Sequence, residues 1–229
     1  MKLKWLGHST FELISNSGLN ILVDPFIQAN PACPLKINDM HPDVICITHG
    51  HADHFGDVLD IARNNPNLVV VTSYEISIYL QRKGVTAIGI NYGAYVKIKD
   101  VKIRMLKAEH TSTFDFEINT KYAGNPCSFL LTFDDDLKVF HAGDTGLFSD
   151  MKFVIGDIYK PDIALLPIGN IFTMDYKEAS VAADWIDPKF VIPMHYNSFP
   201  SIKQNPEEFK KLVKNCKTLI PKVLEILEF

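Results

Sequence analysis

The sequence predicts an α/β fold: two mixed sheets packed against each other with helices on the outside. Three observations point there. The chain opens on short alternating segments separated by turn residues, which read as an antiparallel meander, and then switches to strand–helix alternation. The second half repeats that order. With 229 residues, 47% of them hydrophobic and 22% charged, the chain is long enough for one domain with a large core and too short for two comfortable ones. A single domain over 1–229 is therefore expected.

Residues 2–6, 10–14 and 20–23 form the meander, with turns at Gly7 and at Asn16-Ser17-Gly18. A polar, proline-bearing stretch (24–42) leads to the apolar run 44–48, which delivers the chain to His49 at a strand end. A short helix is expected over 57–65, a buried strand over 68–72, a helix over 74–83 stopped by Gly84, and a strand over 85–90. Residues 96–108 and 127–142 read as hairpins, the second turning at Asp134-Asp135-Asp136. Between them the polar segment 109–126 is long for a compact domain. Its part 111–126 carries Phe114, Phe116 and Tyr122, and reads equally as a lid over substrate or as a surface loop pinned by its aromatic rings. Thereafter come a helix over 149–159, a strand over 162–167, a helix over 176–185, a strand over 190–194, a helix over 206–216 and a last strand over 223–227. Two outer helix layers on two inner sheets satisfy this order.

Lys and Arg total 23 against 27 Asp and Glu, a formal charge of -4, which gives no global attraction to a phosphate backbone or an anionic membrane. Neither nucleic acid nor membrane is expected as a partner. Gly7, His8, Ser9 and Thr10 interrupt any N-terminal apolar run before a signal-peptide core or a spanning helix could form, so a cytoplasmic protein is expected. Cys33, Cys46, Cys127 and Cys216 are widely spaced and form no CxxC, the pattern of reduced structural thiols.

Chemistry concentrates in Thr48-His49-Gly50-His51-Ala52-Asp53-His54, three imidazoles and a carboxylate within six residues at a strand-to-helix junction. Strand-end residues two apart point to one side, so His49 and His51 can share a cation. Asp53 and His54, on the first helical turn, point away toward a second one. Imidazole and carboxylate suit zinc, manganese or iron alike. Three further candidates end other strands: His110, Asp144 and His195. Together these seven residues make a coherent two-metal set.

These residues resemble the metallo-β-lactamase superfamily of four-layered αββα hydrolases. His49-Gly-His51-Ala-Asp53-His54 is similar to its signature, His110 to its third histidine, His141-Ala-Gly-Asp144-Thr145 to its bridging-aspartate motif and His195 to its last histidine. A narrower resemblance runs through nearly the whole chain. Gly7-His8-Ser9-Thr10, Asp24-Pro25-Phe26-Ile27, Ala142-Gly143-Asp144-Thr145-Gly146, Leu166-Pro167-Ile168-Gly169 and Pro193-Met194-His195-Tyr196 are similar to metal-dependent hydrolases related to ascorbate-6-phosphate lactonase. Three segments depart from that pattern: Asn170-Ile171-Phe172, Asn197-Ser198-Phe199 and Ile220-Pro221-Lys222.

The resemblance implies His49, His51 and His110 on one metal, Asp53, His54 and His195 on another, and Asp144 bridging. It implies a hydrolase that uses a metal-bound hydroxide on a small-molecule lactone, ester or phosphoester, with two divalent ions per chain, zinc or manganese ahead of iron. Asp53 would accept or relay the proton. His8 is a candidate catalytic residue, contacting substrate or supporting a ligand, with a structural turn as its other reading. His141, Asn170 and Tyr196 are candidates for supporting the ligands or touching substrate. Trp5 and Trp185 read as core, His41 as surface. Alternatives are an iron-dependent redox enzyme on the same fold, an RNA or DNA phosphodiesterase, and a metal-stabilised binding protein. The phosphodiesterase is opposed by the charge balance, and the flavodiiron form of the redox reading by the presence of His51 and the want of length for a flavin domain. A homo-oligomer is compatible with the sequence.

Overall fold

Alternation with period two sets the first strands. In β1 (Lys2–Trp5) and β2 (Phe11–Ile14), Leu3, Trp5, Phe11 and Leu13 are buried while their neighbours are more open, and the antiparallel register pairs Leu3 with Leu13 and Trp5 with Phe11. The computed structural model describes residues 1–117 and 119–229. β3 (Asn20–Val23), β4 (Val44–Cys46) and β5 (Val69–Ser73) are instead buried along nearly their whole length, as strands covered on both faces must be. β6 (Ala87–Ile90) follows.

The second half contributes β7 (Tyr95–Ile98), β8 (Val101–Lys107), the short pair β9 (Thr113–Phe114) and β10 (Lys121–Tyr122), β11 (Cys127–Thr132), β12 (Lys138–His141), β13 (Ile163–Pro167), β14 (Phe190–Met194), β15 (Lys217–Thr218) and β16 (Ile226–Glu228). One sheet runs β16-β1-β2-β3-β4-β5-β6, the other β15-β14-β13-β12-β11-β8-β7. Both are mixed: each starts antiparallel, then runs parallel from β3 to β6 or from β12 to β15.

The helices α1 (Ala52–Phe55), α2 (Val58–Asn64) and α3 (Tyr74–Arg82) cover the first sheet, where Phe55, Ile61, Ile76 and Leu80 meet Leu22, Ile45 and Val70. A π-wound helix Met151–Tyr159 precedes α4 (Tyr176–Ile186) and α5 (Pro206–Leu212). Its Met151 and Ile155, with Ala179, Ala183 and Phe209, join the larger core, which also takes in apolar side chains of both sheets. The result is helix, sheet, sheet, helix. α4 starts where the Asp175 carboxylate accepts from the Lys177 and Glu178 amides, and α5 where Asn205 caps and Pro206 opens the first turn.

The expected order of elements is present, with differences at the edges. α5 ends at Leu212 rather than 216, because the Lys214 and Asn215 amides donate to Asp184 and draw the chain into β15. The last strand starts at Ile226 rather than 223, after a turn in which Lys222 N–H donates to Glu225 and Leu224 takes φ 68°. Trp185 is only half-buried, whereas Trp5 is core and His41 is exposed, as expected. The four cysteines are free thiols. Among the described residues no helix is long and apolar enough to cross a membrane.

Candidate metal centre

Parallel strands deliver the site. β4 ends just before His49, β12 before Asp144 and β14 at Met194 before His195, so side chains beyond their carboxyl ends converge from both sheets, with His110 arriving three residues past β8. His49 Nε2 stands 3.0 Å from His51 Nδ1, and both rings lie edge-on to His110 at about 5 Å between centroids. Asp144, buried, has its carboxylate 2.9 Å from His195 Nε2, 3.3 Å from His54 Nε2 and 3.7 Å from His110 Nε2. Asp53 closes the far side, 3.9 Å from His54 Nε2 and 4.0 Å from His195 Nε2. Three sets of donor atoms each fall within 4.8 Å of one another: His49, His51 and His110; His8, Asp53, His54 and His195; and His49, His54 and Asp144. All seven residues singled out in the sequence come together here, with Asp144 between the two histidine groups.

Tight turns make this convergence possible. Gly50 has no space for a side chain, because a Cβ would collide with Ala123 and the Thr113 carbonyl. Gly143, at φ 62°, would put a Cβ 2.7 Å from the Cys127 carbonyl oxygen, and only glycine takes that backbone cheaply. Glu109 N–H donates to Thr145 Oγ1 and Gly146 N–H to the Glu109 carbonyl, which ties the His110 segment to the Asp144 turn.

Asp24 supplies what sequence reasoning missed. Its buried carboxylate accepts from Thr48 N–H (2.8 Å), Thr48 Oγ1–H (2.7 Å) and His54 Nδ1–H (2.8 Å). The Thr48 hydroxyl has thus spent its hydrogen, so at 2.9 Å it accepts from His49 Nδ1–H. Both histidines are thus held through Nδ1 and turn Nε2 inward, where a cation would take its lone pair. The sequence held one trace of this: Asp24-Pro25 stood out as a motif without a role. His141 sits outside the cluster, donating from Nε2 to the Ser9 carbonyl (2.9 Å) and accepting at Nδ1 from Gly143 N–H (3.1 Å), so it braces the turn before Asp144.

Two of the candidates stand apart from the cluster. Tyr196 is a core residue: its ring stacks on Trp5 at 5.4 Å, because the left-handed backbone at His195 and Asn197 sends their neighbour inward. Asn170 is exposed on the turn after β13, its amide N–H bonded to the Met174 carbonyl, and makes no side-chain hydrogen bond to the cluster among the described residues. The segment 111–126, apart from position 118, which lies outside the described residues, is pinned. Phe114 is buried and stacks on Tyr79 at 4.3 Å, Phe116 stacks on Phe55 at 5.2 Å, and Ser112 and Asp115 accept from the Gly50 and Ala52 amides.

The electrostatics follow from burial and crowding. Burial opposes charge on Asp144, but His195 and His54 outweigh it and hold the carboxyl well below its ordinary range. Burial likewise opposes a proton on His54, yet Asp144, Asp24 and Asp53 raise its pKa well above 6.5. Burial, then His54, keeps His49 well below 6.5, and burial also lowers His110. His8 falls to about 4 through burial and then His195. His54 Nε2, His195 Nε2 and Asp144 Oδ1 are buried without a hydrogen-bond partner among the described residues, despite separations as short as 2.9 Å. Buried nitrogen and oxygen atoms that lack hydrogen-bond partners and face a common space suit divalent cations and cost stability otherwise. The donor set therefore fits metal.

The comparisons agree. The model of the family described as "Beta-lactamase superfamily domain" matches residues 2–195. A UPF0173 metal-dependent hydrolase of Methanobrevibacter smithii is 50% identical over 224 residues, 98% of this chain and 93% of its own. Another, of Methanocaldococcus jannaschii, is 43% identical over 228 residues and 98% of each chain. The solved structure of Igni18, a metallo hydrolase from Ignicoccus hospitalis, superposes with TM-score 0.89 at 36% identity, covering 100% of this chain and 98% of that one. A four-layered fold, a histidine–aspartate centre at its strand ends and end-to-end similarity to these relatives lead to one conclusion: the chain belongs to the beta-lactamase superfamily and, within it, to the UPF0173 metal-dependent hydrolases.

Proposed function

We propose that this metal-dependent hydrolase is binuclear and cleaves a lactone, ester or phosphoester bond of a small molecule. The observation that carries the reading is the position of Asp144, whose carboxylate lies within 4 Å of His54, His110 and His195, between two groups of inward-facing donors. His49, His51 and His110 would hold one cation, Asp53, His54 and His195 the other, and Asp144 both. Zinc or manganese suits these ligands, with iron as the alternative. Such cations, when bound, lower the pKa of water toward neutrality and polarise a carbonyl or phosphoryl oxygen.

The protein's own groups do the rest. Asp24 and Thr48 fix the tautomers of His54 and His49, so neither of these two imidazoles has to reorient on loading. Asp53 is the carboxylate of the set that opens to solvent, its side chain 26% exposed against 3% for Asp144. Standing at the solvent edge of the set, the Asp53 carboxylate would accept or relay the proton released during attack. Phe26 and Phe199 stand edge-on to His8 and exclude water from that flank. A small molecule is the substrate that fits, since the -4 charge offers no basic track for a polynucleotide.

Elemental mass spectrometry on protein purified without chelator, followed by a panel of lactones and phosphodiesters, tests the reading. Two zinc or manganese ions per chain are expected, and Asp144→Asn or His54→Ala should abolish turnover while the far-ultraviolet circular dichroism is kept. Full activity in either variant, or one tightly held iron per chain with redox turnover, would overturn it.

A further inference from the structure

Ser198 lies three residues past His195, buried, and its hydroxyl oxygen is 2.5 Å from His8 Nδ1. Across the ring, His8 Nε2 is 3.1 Å from Asp53 Oδ2. An ionised carboxylate only accepts, so Nε2 carries the ring hydrogen, and Nδ1 of the neutral ring is left to accept from the Ser198 hydroxyl. The donor order therefore runs Ser198 to His8 to Asp53. Although His8 falls within 4.8 Å of Asp53, His54 and His195, this order leaves it no lone pair for a cation.

The ring has little freedom to do otherwise. It packs against His195 at 4.1 Å and edge-on against Phe26, His54 and Phe199. Its backbone, at φ 54°, is held by two donors to its carbonyl, Trp5 Nε1–H at 2.9 Å and His195 N–H at 3.0 Å. Ser198 and His195 belong to a loop of the second sheet, while His8 and Asp53 belong to the first, so the hydroxyl reaches across the sandwich to act on Asp53.

We infer that Ser198 is a positioning residue for the metal centre: through His8 it engages Asp53 Oδ2 and leaves Oδ1, the oxygen toward His54, for the cation. The inference rests on the two-cation reading above. Without the hydroxyl, the buried His8 Nδ1 loses its partner and the ring loses its anchor on that side, so its Nε2–H holds Asp53 Oδ2 less firmly.

The test uses the full chain loaded with cobalt(II), comparing wild type, Ser198→Ala and Ser198→Thr. Ser198→Ala should weaken one of the two cobalt sites about tenfold in chelator competition and alter the visible bands of that site alone. Ser198→Thr, which keeps a hydroxyl, should restore both. Wild-type affinity and spectrum in Ser198→Ala, or equal loss in both variants, overturns the role of Ser198 and leaves the binuclear reading standing. A wild-type chain that takes up only one cobalt ion overturns the binuclear reading, and this inference with it.

Discussion

His141 touches no candidate ligand by hydrogen bond, yet it joins Ser9 in the first sheet's loop to Gly143 beside Asp144. His141→Phe would leave a buried carbonyl and a buried amide unpaired, each costing about 1–3 kcal/mol, so a loss of about 3 kcal/mol is expected in urea melts. The pH dependence has a definite sign. Burial lowers the His141 pKa below 6.5, so as pH falls the unfolded chain takes the proton first. The stability this group contributes is fully present above pH 6.5 and is lost from there down to its folded pKa. Metal-free His141→Phe should therefore show a shallower decline just below pH 6.5, by up to about 1.4 kcal/mol per pH unit; an unchanged slope would count against a neutral, buried imidazole. Ile171 poses a separate question, being 66% exposed with φ 52°, a left-handed backbone that costs a β-branched residue about 1–2 kcal/mol. Ile171→Asn should stabilise the protein by about 1 kcal/mol, and a lower melting temperature would show that the side chain is held by contacts that outweigh the strain. At this scale the candidate ligands were legible because metal binding needs particular side chains at particular spacings. The roles of Asp24 and Ser198 and the place of Tyr196 were not: the segments of the first two stand out in the sequence, but their hydrogen bonds to His54 and His8 follow from no spacing, and only the left-handed backbone around His195 decides which way Tyr196 turns.

Among elements, the segment that carries β9 and β10 shows what periodicity leaves out. Phe114, Phe116 and Tyr122 stand in a polar run without a helical or strand repeat, and their partners Phe55 and Tyr79 come from α1 and α3, far off in sequence. Lid and pinned loop therefore read alike in the sequence, and the stacking decides for the pinned loop, with Tyr122 alone of the three mostly exposed. Because Ser112 and Asp115 bond the amides on either side of His51, this segment also braces the His49–His51 turn. Phe114→Ala should cost about 3 kcal/mol in stability, within the range for a buried phenylalanine, and weaken metal retention in chelator competition. Destabilisation with unchanged metal affinity would mean that the turn is rigid without its brace. The apolar strand before His49 was legible for the opposite reason: β4 is covered on both faces, so its three residues are uniformly apolar and end where the ligands begin.

For the whole molecule, the division of the candidate ligands between the sheets matters most. His49, His51, Asp53 and His54 follow β4 of one sheet, while His110, Asp144 and His195 follow β8, β12 and β14 of the other. The two sheets share a large apolar core, so the fold is expected to stand without metal. What the core does not settle is the rim, where unpartnered His54 Nε2, His195 Nε2 and Asp144 Oδ1 are buried together. Unfolding separates the two ligand sets, so cations bind the folded chain far better than the unfolded one, and loading must stabilise it. At free metal a thousandfold above the dissociation constant the gain is about 4 kcal/mol, and for a chain of this size each kcal/mol raises the melting temperature by about 2–4 °C. Chelation should therefore lower the melting temperature by about 10 °C with the secondary structure retained below it. The same treatment of His54→Ala should give a much smaller drop, because that chain has lost one shared set of ligands before the chelator is added. Equal drops in the two proteins would place the stabilising metal elsewhere than at this centre, and no drop in either would mean that the rim is rigid without it.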